Sequence, residues 1–224
     1  MSTGIDSEKI IILDFGSQYT QLIARRIREL GVYSEILSCN TSYRYILKAN
    51  PKGIIISGGP ESVNAKNTLK VDPKILESEI PVLGICYGMQ LMSKHFRGLV
   101  NTSKKREFGH AEIKLNKGNL FQDIKISTLN VWMSHGDKIT KLPKGFKKIA
   151  SSKNSPIAAF ENNSIKKYGL QFHPEVTHTE KGAQILKTFV REICCCQAKW
   201  RSKNIVEKLV DDIKKQVGKK KVLL

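Results

Sequence analysis

The first part of the chain contains short, almost uninterrupted apolar runs that alternate with segments of helical periodicity. The apolar runs are residues 9–14, 32–37, 53–57 and 81–85. The helical segments are 19–30, 43–49 and a short one that follows Pro73. Strands this apolar, separated by helices, are typical of a parallel sheet that is covered on both faces.

From residue 99 onward the pattern changes to shorter, partly alternating strands. The candidates are 111–115, 131–134, 146–151, 157–160 and 168–172, and helices are predicted at 179–193 and 204–217. The sequence therefore predicts an α/β fold. We expect a central, mostly parallel sheet flanked by helices, with a smaller mixed or antiparallel strand region.

Cys86 stands in a run whose spacing is typical of a sharp turn between a strand and a helix. Gly84 and Gly88 lie two residues to either side, where a tight backbone leaves little room for side chains. This spacing resembles a nucleophile elbow with cysteine in place of serine. The turn would present the sulfur at a helix N-terminus, which favours the thiolate that attacks carbonyl carbon. A buried structural cysteine is the alternative interpretation.

A candidate base and the carboxylate that orients it lie far downstream, at His173 and Glu175. Residues i and i+2 of an extended chain face the same way, so these side chains would project together. His173 would take the proton from Cys86 and give it to the departing amine, while Glu175 holds the imidazole. A His-x-Glu alone is more often a surface strand end. Beside the Cys86 turn, it predicts a Cys-His-Glu triad.

Two backbone N–H groups are candidates for an oxyanion hole, which acyl transfer requires. One belongs to Tyr87, directly after the nucleophile, and the other to Gly59, in the turn that follows strand 53–57. A glycine pair after a strand is otherwise typical of a simple tight turn or of a weak phosphate loop. Its functional interpretation depends on the triad.

In order and rough spacing, segments 57–60, 84–90 and 172–175 resemble the class I, or triad, glutamine amidotransferases. The resemblance implies a glutaminase that releases ammonia from L-glutamine through Cys86, His173 and Glu175. It implies no metal ion and no cofactor in this part of the chain.

The same resemblance implies a glutamine pocket, and its expected residues are Gly58, Gln90, Ser134, Gly136 and Asp137. Gln90 lies one helical turn after Cys86, so its side chain would lean back over the nucleophile. Residues 134–137 are expected to end a strand and to offer backbone groups to both ends of the amino acid. His135 is interpreted as a loop histidine and is left out of the catalytic set.

A narrower resemblance is to the branch of the family in which an ATP-pyrophosphatase domain follows on the same polypeptide. The segments that carry it are 14–19, 106–109, 131–137 and 172–179. It implies that the ammonia aminates adenylylated xanthosine monophosphate to give GMP, with ATP and magnesium acting in the second domain. We therefore expect a glutaminase domain at 1–197, and a linker, helix and first strand of a truncated second domain at 198–224. The full-length enzyme would be a homodimer.

This sequence departs from the pattern of the family at two places. His110 stands where the resemblance predicts arginine, and the run Cys194-Cys195-Cys196 is unusual.

The net charge of +18 leaves one competing function class open. Eight of the 38 basic residues are arginine and the rest are lysines spread along the chain, so a solvated surface is favoured over a specific nucleic-acid site. A basic nucleotide-binding module remains an alternative, as does the glutaminase subunit of anthranilate or carbamoyl phosphate synthesis.

No apolar stretch approaches the ~20 residues that span a bilayer. Five cysteines without a CxxC pair favour free thiols in a reducing cytoplasm.

Overall fold

The computed structural model describes residues 8–201, 206, 210 and 213–218, apart from the side chains of residues 104 and 105. Nine strands in this part of the chain form one mixed sheet in the order β2-β1-β3-β4-β9-β8-β7-β5-β6. The strands are β1 (Lys9–Asp14), β2 (Tyr33–Ser38), β3 (Gly53–Ile56), β4 (Val82–Ile85), β5 (Leu99–Leu115), β6 (Thr128–Lys141), β7 (Lys147–Ser152), β8 (Ala159–Asn162) and β9 (Lys167–Leu170).

The helices pack on both faces of the parallel half of this sheet. They are α1 (Thr20–Glu29), α2 (Tyr43–Ala49), α3 (Pro73–Glu77), α4 (Tyr87–His95) and α5 (Gly182–Lys187), with a 3₁₀ turn at Asn119–Phe121 and a π-helical segment at Thr188–Ile193 that continues α5. Strands β2, β1, β3, β4 and β9 run parallel, and β8, β7, β5 and β6 continue the sheet antiparallel. The predicted fold class is confirmed.

Alternation along β1 divides the core into two halves. Ile10 and Ile12 face α1 and α5, whereas Ile11 and Leu13 face α2, α3 and α4. All four side chains are fully buried. Successive side chains of a strand point to opposite faces, so one continuous apolar strand supplies both layers.

The predicted strand bounds differ most from the observed ones in the antiparallel region. Predicted strand 111–115 is the end of the much longer β5, and predicted strand 131–134 lies inside β6. The two form a long ribbon whose register shifts between Thr102 and Glu107. The charged residues at 104–107 interrupt the alternation of apolar residues along β5, so a hydrophobicity pattern does not detect the full strand.

The segment after the π-helical residues folds back over the end of α1. The Trp200 N–H donates to the Gly31 carbonyl at 2.9 Å, and the Trp200 ring packs on Tyr33 with centroids 4.7 Å apart.

Residues 206, 210 and 213–217 are helical, within the predicted helix 204–217. The predicted strand 222–224 lies outside the described residues, and the domain boundary at 197 stays a prediction. No helix among the described residues is long and apolar enough to cross a membrane.

Lys167 on β9 is a fully buried lysine that ties three carbonyl groups together. Its Nζ donates to Ser78 at 2.8 Å, to Ile80 at 2.9 Å and to Ile165 at 2.8 Å. Burial, with a smaller effect from the neighbouring Lys166 charge, lowers the pKa of Lys167 to about 8. The ammonium therefore joins β9 to the segment that leads into β4.

We expect Lys167→Met to lower the free energy of unfolding by about 2 kcal/mol, because three carbonyls would lose their donor. Chemical denaturation measures this. The matched control is Lys148→Met at an exposed position of β7, where the change should be within about 0.5 kcal/mol. Equal stability of the two variants would contradict this role of Lys167.

Candidate active site

Cys86 occupies a strained turn between β4 and α4. Its backbone has φ 51° and ψ −104°, a sparsely populated region for a residue with a side chain. The Cys86 N–H donates to the Leu170 carbonyl of β9 at 2.7 Å, and the Cys86 carbonyl accepts from Gln90 N–H at 3.1 Å. These bonds tie the turn to the sheet on one side and to the helix on the other. The geometry is that of the elbow predicted from the glycine spacing.

Close backbone contacts explain why glycines flank this turn. A methyl group at Gly84 would lie 2.5 Å from the carbonyl carbon of Gly88. One at Gly88 would lie 2.4 Å from the carbonyl oxygen of Ile56 on β3. Real Cβ atoms do not approach so closely, so the start of α4 packs against β3 and β4 only without these side chains.

His173 and Glu175 lie in the turn that follows β9, the strand next to β4. His173 Nδ1 is 2.7 Å from Glu175 Oε1, and both side chains are buried. This contact shows that the two side chains project together, as the sequence predicts. The extended conformation expected for them is wrong, because β9 ends at Leu170 and residues 174–175 form a turn. Pro174 has no N–H to extend the ladder, which is consistent with the strand ending before it.

The surroundings of His173 favour its charged form. Burial by itself lowers the pKa of His173, but hydrogen bonds with Cys86 and Glu175 and the charges of these two groups raise it to about 10. Tyr19 packs edge-on against the imidazole, with ring centroids 5.0 Å apart. His173 is thereby suited to be an imidazolium at neutral pH.

Gly58 lies between the cysteine and the histidine. A methyl group there would lie 3.1 Å from His173 Cε1 and 3.6 Å from Cys86 Cβ. At Gly59 it would lie 2.8 Å from the Phe15 carbonyl oxygen, so the turn after β3 also needs glycine. Tyr87 is the first residue of α4, and its N–H has no acceptor within the helix.

A cavity of about 310 Å³ opens beside Cys86. Of the predicted site residues, it is lined by Gly59, Cys86, Tyr87, Gln90, Ser134, Gly136 and Asp137. Residues 134–137 lie in the middle of β6, which corrects the prediction that they end a strand. The strand continues because β5 pairs with it on the far side of the register shift. The predicted pocket residue Gly58 does not line this cavity and lies instead against His173.

The carboxylate of Asp137 is largely buried and accepts a hydrogen bond from Ser62 Oγ. The Gln90 amide nitrogen donates to the Asp137 carbonyl at 2.9 Å, which anchors Gln90 to β6. Arg106 lies at the mouth of the same cavity, with Nε 3.7 Å from where a Gly136 methyl group would be. The cavity therefore presents a carboxylate and a guanidinium to a ligand.

Two residues of the site were not found from the sequence. Gln171 is fully buried, and its side-chain nitrogen lies 3.7 Å from Cys86 Sγ. Ser62 reaches Asp137 across 75 positions of the chain. Neither has a local spacing signal, because each meets its partner only through pairing of strands that are distant in sequence. His135 was misinterpreted as a loop residue: it is buried within β6.

A second cavity of about 210 Å³ shares Gly59, Cys86 and Ser134 with the first. Its lining residues also include Ser17, Tyr19 and His173. Cys86 therefore lies where a cavity lined by Asp137 meets one lined by the imidazole. Among the described residues, no group of three or more His, Cys, Asp or Glu side chains is arranged to hold a metal ion.

Residues 11–193 match the family described as Glutamine amidotransferase class-I. The chain belongs to this glutamine amidotransferase family. The match covers the elbow, the glycine turn after β3 and the His-x-Glu turn, and it confirms the family predicted from those segments.

The relatives of this amidotransferase chain include the glutamine-hydrolysing GMP synthases of Vibrio vulnificus and Aliivibrio fischeri, each 49% identical over 225 residues. The alignments cover all of this chain and 43% of those proteins, so the chain spans less than half of their length. They confirm the narrower resemblance found in the sequence.

Solved structures agree with the family. A protein from Thermoplasma acidophilum, assigned as one of the subunits of a GMP synthase, superposes with a TM-score of 0.74 at 30% identity, covering 90% of this chain and 98% of that one. A glutamine amidotransferase from Thermotoga maritima has a TM-score of 0.64 at 21% identity, covering 93% of this chain and 85% of that one, and shares the fold.

We expect Glu175→Gln to lower the pKa of His173 from about 10 toward the ordinary value near 6.5, because the carboxylate charge that favours the imidazolium is removed. Nitrogen NMR shifts of the imidazole across a pH titration measure this. Glu192→Gln, at an exposed position, is the control and should leave the titration unchanged. A His173 titration insensitive to Glu175→Gln would contradict the assigned pair.

Proposed function

We propose that this chain is a glutaminase domain that hydrolyses L-glutamine to glutamate and ammonia. The observation that carries the proposal is the strained Cys86 at the N-terminus of α4, adjacent to the buried His173–Glu175 pair. Two neighbouring parallel strands, β4 and β9, end at this edge of the sheet and bring the three side chains together. Ligand sites of parallel α/β sheets are commonly found at such an edge.

In the proposed first step, the Cys86 thiolate attacks the side-chain amide carbon of glutamine and forms a C–S bond. The carbonyl electron pair moves to the oxygen and creates an oxyanion. His173, as imidazolium, gives its proton to the amide nitrogen, and the C–N bond breaks to release ammonia. A thioester and a neutral imidazole remain.

In the second step, neutral His173 takes a proton from water while the water oxygen attacks the thioester carbon. The C–S bond then breaks, glutamate leaves, and the thiolate–imidazolium pair is restored. Glu175 keeps the imidazole oriented in both steps and stabilises its positive charge. We assign the backbone N–H groups of Tyr87 and Gly59 to the oxyanion, because Tyr87 begins α4 and Gly59 packs beside its ring.

The cavity on the Asp137 side is proposed to hold the amino acid. Its buried carboxylate suits the α-ammonium group, and backbone groups of Ser134 and Gly136 on β6 suit the remaining polar atoms. Gln90 would help to form the wall of this pocket, where its amide is already held by Asp137. Fixing both ends of a free amino acid brings its reacting amide to the sulfur in a productive orientation.

We expect Cys86→Ala to abolish ammonia release from glutamine, with a loss of at least about 10³-fold in kcat, because no other group forms the thioester. Enzyme-coupled detection of glutamate and ammonia measures this. Cys195→Ala is the matched control, since Cys195 is exposed and far along the chain from the triad. Hydrolysis by Cys86→Ala at the rate of the parent protein would overturn the assignment.

We further propose that the ammonia is used to aminate adenylylated xanthosine monophosphate, giving GMP. The proposal is supported by the 49% identity to GMP synthases over the whole of this chain. The partner would be the ATP-pyrophosphatase domain that the sequence resemblance implies after residue 197, and ATP and magnesium would bind there. The free cysteines are consistent with a reducing cytoplasm as the place of action.

The second proposal is tested by combining this chain with the separately produced ATP-pyrophosphatase portion of its own full-length protein. With glutamine as the nitrogen source, ATP and xanthosine monophosphate, GMP should form, and Cys86→Ala should require added ammonium salt. GMP formation from ammonium but never from glutamine would contradict the proposed coupling. Use of the ammonia to aminate chorismate, or to form carbamoyl phosphate from bicarbonate, would instead favour the glutaminase subunits of anthranilate or carbamoyl phosphate synthesis.

A further inference from the structure

A buried histidine–glutamate pair lies at the wall of the glutamine cavity, which His135 lines, and has no part in the proposed chemistry. His135 is on β6 and Glu107 is the residue opposite it on β5. Both side chains are almost completely buried, with 2% and 7% of their surface exposed. Burying a charge is costly unless it is paired, so the pair needs a physical explanation.

The partners of the imidazole define its protonation. His135 Nδ1 lies 2.9 Å from the Asp137 carbonyl oxygen, and Nε2 lies 3.1 Å from Glu107 Oε2. The Nε2 contact is an ion pair by distance, without the angle of a hydrogen bond. A carbonyl oxygen only accepts, so the proton in the Asp137 contact belongs to Nδ1 of His135.

Glu107 is itself held in place from the far side. It accepts from Ser155 Oγ at 2.6 Å and from Ser152 Oγ at 3.2 Å, at the end of β7. Burial alone would raise the pKa of Glu107, but the contacts with His135 and with these hydroxyls lower it to about 2. The carboxylate is therefore charged at neutral pH.

The pair connects to the nucleophile through a continuous series of buried polar contacts. The Asp137 carbonyl that faces His135 also accepts from Gln90 Nε2 at 2.9 Å. The same Gln90 nitrogen lies 3.2 Å from Gln171 Oε1, and Gln171 Nε2 lies 3.7 Å from Cys86 Sγ. The orientation of one carbonyl on β6 thus depends on His135 on one side and Gln90 on the other.

We propose that His135 and Glu107 are positioning residues that fix the Asp137 segment of β6 for glutamine binding. The Nδ1–H of His135 holds the Asp137 carbonyl, and the Glu107 carboxylate lies against the other ring nitrogen. A neutral imidazole with its proton on Nε2 would turn a lone pair toward the carbonyl and repel it. This inference rests on the proposed glutaminase function, since it names residues that shape the substrate pocket.

Glutamine binding to the Cys86→Ala chain, measured by calorimetry, tests the inference without requiring turnover. His135→Ala should raise the dissociation constant about tenfold or more. His135→Asn places an amide N–H near the position of Nδ1 and should restore most of the affinity. His135→Gln extends toward Glu107 instead and should not. Equal affinities of the Asn and Gln variants would overturn the inference.

Glu107→Gln in the same Cys86→Ala chain separates the charge from the packing. It should bind glutamine several-fold more weakly than the Cys86→Ala parent. Glu112→Gln, an exposed glutamate of the same strand, is the control. Affinity of Glu107→Gln equal to that of the parent would overturn the role of Glu107.

Imidazole nitrogen NMR shifts provide a readout that does not depend on glutamine. His135 should carry a proton on Nδ1 in the parent, where it faces the Asp137 carbonyl. An Nδ1 without a proton would overturn the inference. Glutamine binding without hydrolysis by the unmodified chain would contradict the glutaminase proposal and leave this one standing. Absence of binding by the Cys86→Ala parent would overturn both.

Discussion

The close packing of Gly84, Gly88 and Ile56 around the Cys86 turn is the constraint on which the rest of the site depends. Backbone atoms approach there to distances that no side chain permits. That packing holds Cys86 at a positive φ, with a cost of about 1–3 kcal/mol for a residue other than glycine. The strain is maintained because β3, β4, β9 and α4 all meet at this point. The result is a cysteine that lines two cavities and stands at a helix N-terminus.

Two different parts of the sheet meet at the sulfur and supply different functions. The parallel half contributes Cys86 and, from the turn after β9, His173 and Glu175, which are suited to proton transfer. The antiparallel ribbon of β5 and β6 contributes the wall with Asp137, which is suited to hold an amino acid. A substitution in the β5–β6 ribbon can therefore alter glutamine binding without changing Cys86, His173 or Glu175, to which we assign the chemical steps.

Local patterns predicted the parallel half well. The run from Lys9 to Asp14 and the segment from Tyr43 to Ala49 match the observed elements, because burial on two faces and helical periodicity leave strong signals. The ribbon was predicted poorly. Its charged stretch at 104–107 has no alternation, and its length is decided by pairing between β5 and β6. For the same reason, Ser62, Gln171 and the buried state of His135 were not recognised.

By itself, the sequence determined the nucleophile turn and the family, because glycine at two fixed offsets from a cysteine is a local steric requirement. It also identified His173 and Glu175 as a pair, since they are two residues apart. Only the tertiary structure decided what surrounds them. Strands distant in the sequence must pair before Gln171 reaches the sulfur, Ser62 reaches Asp137, or His135 meets Glu107. These contacts depend on sheet order and register, which no single segment encodes.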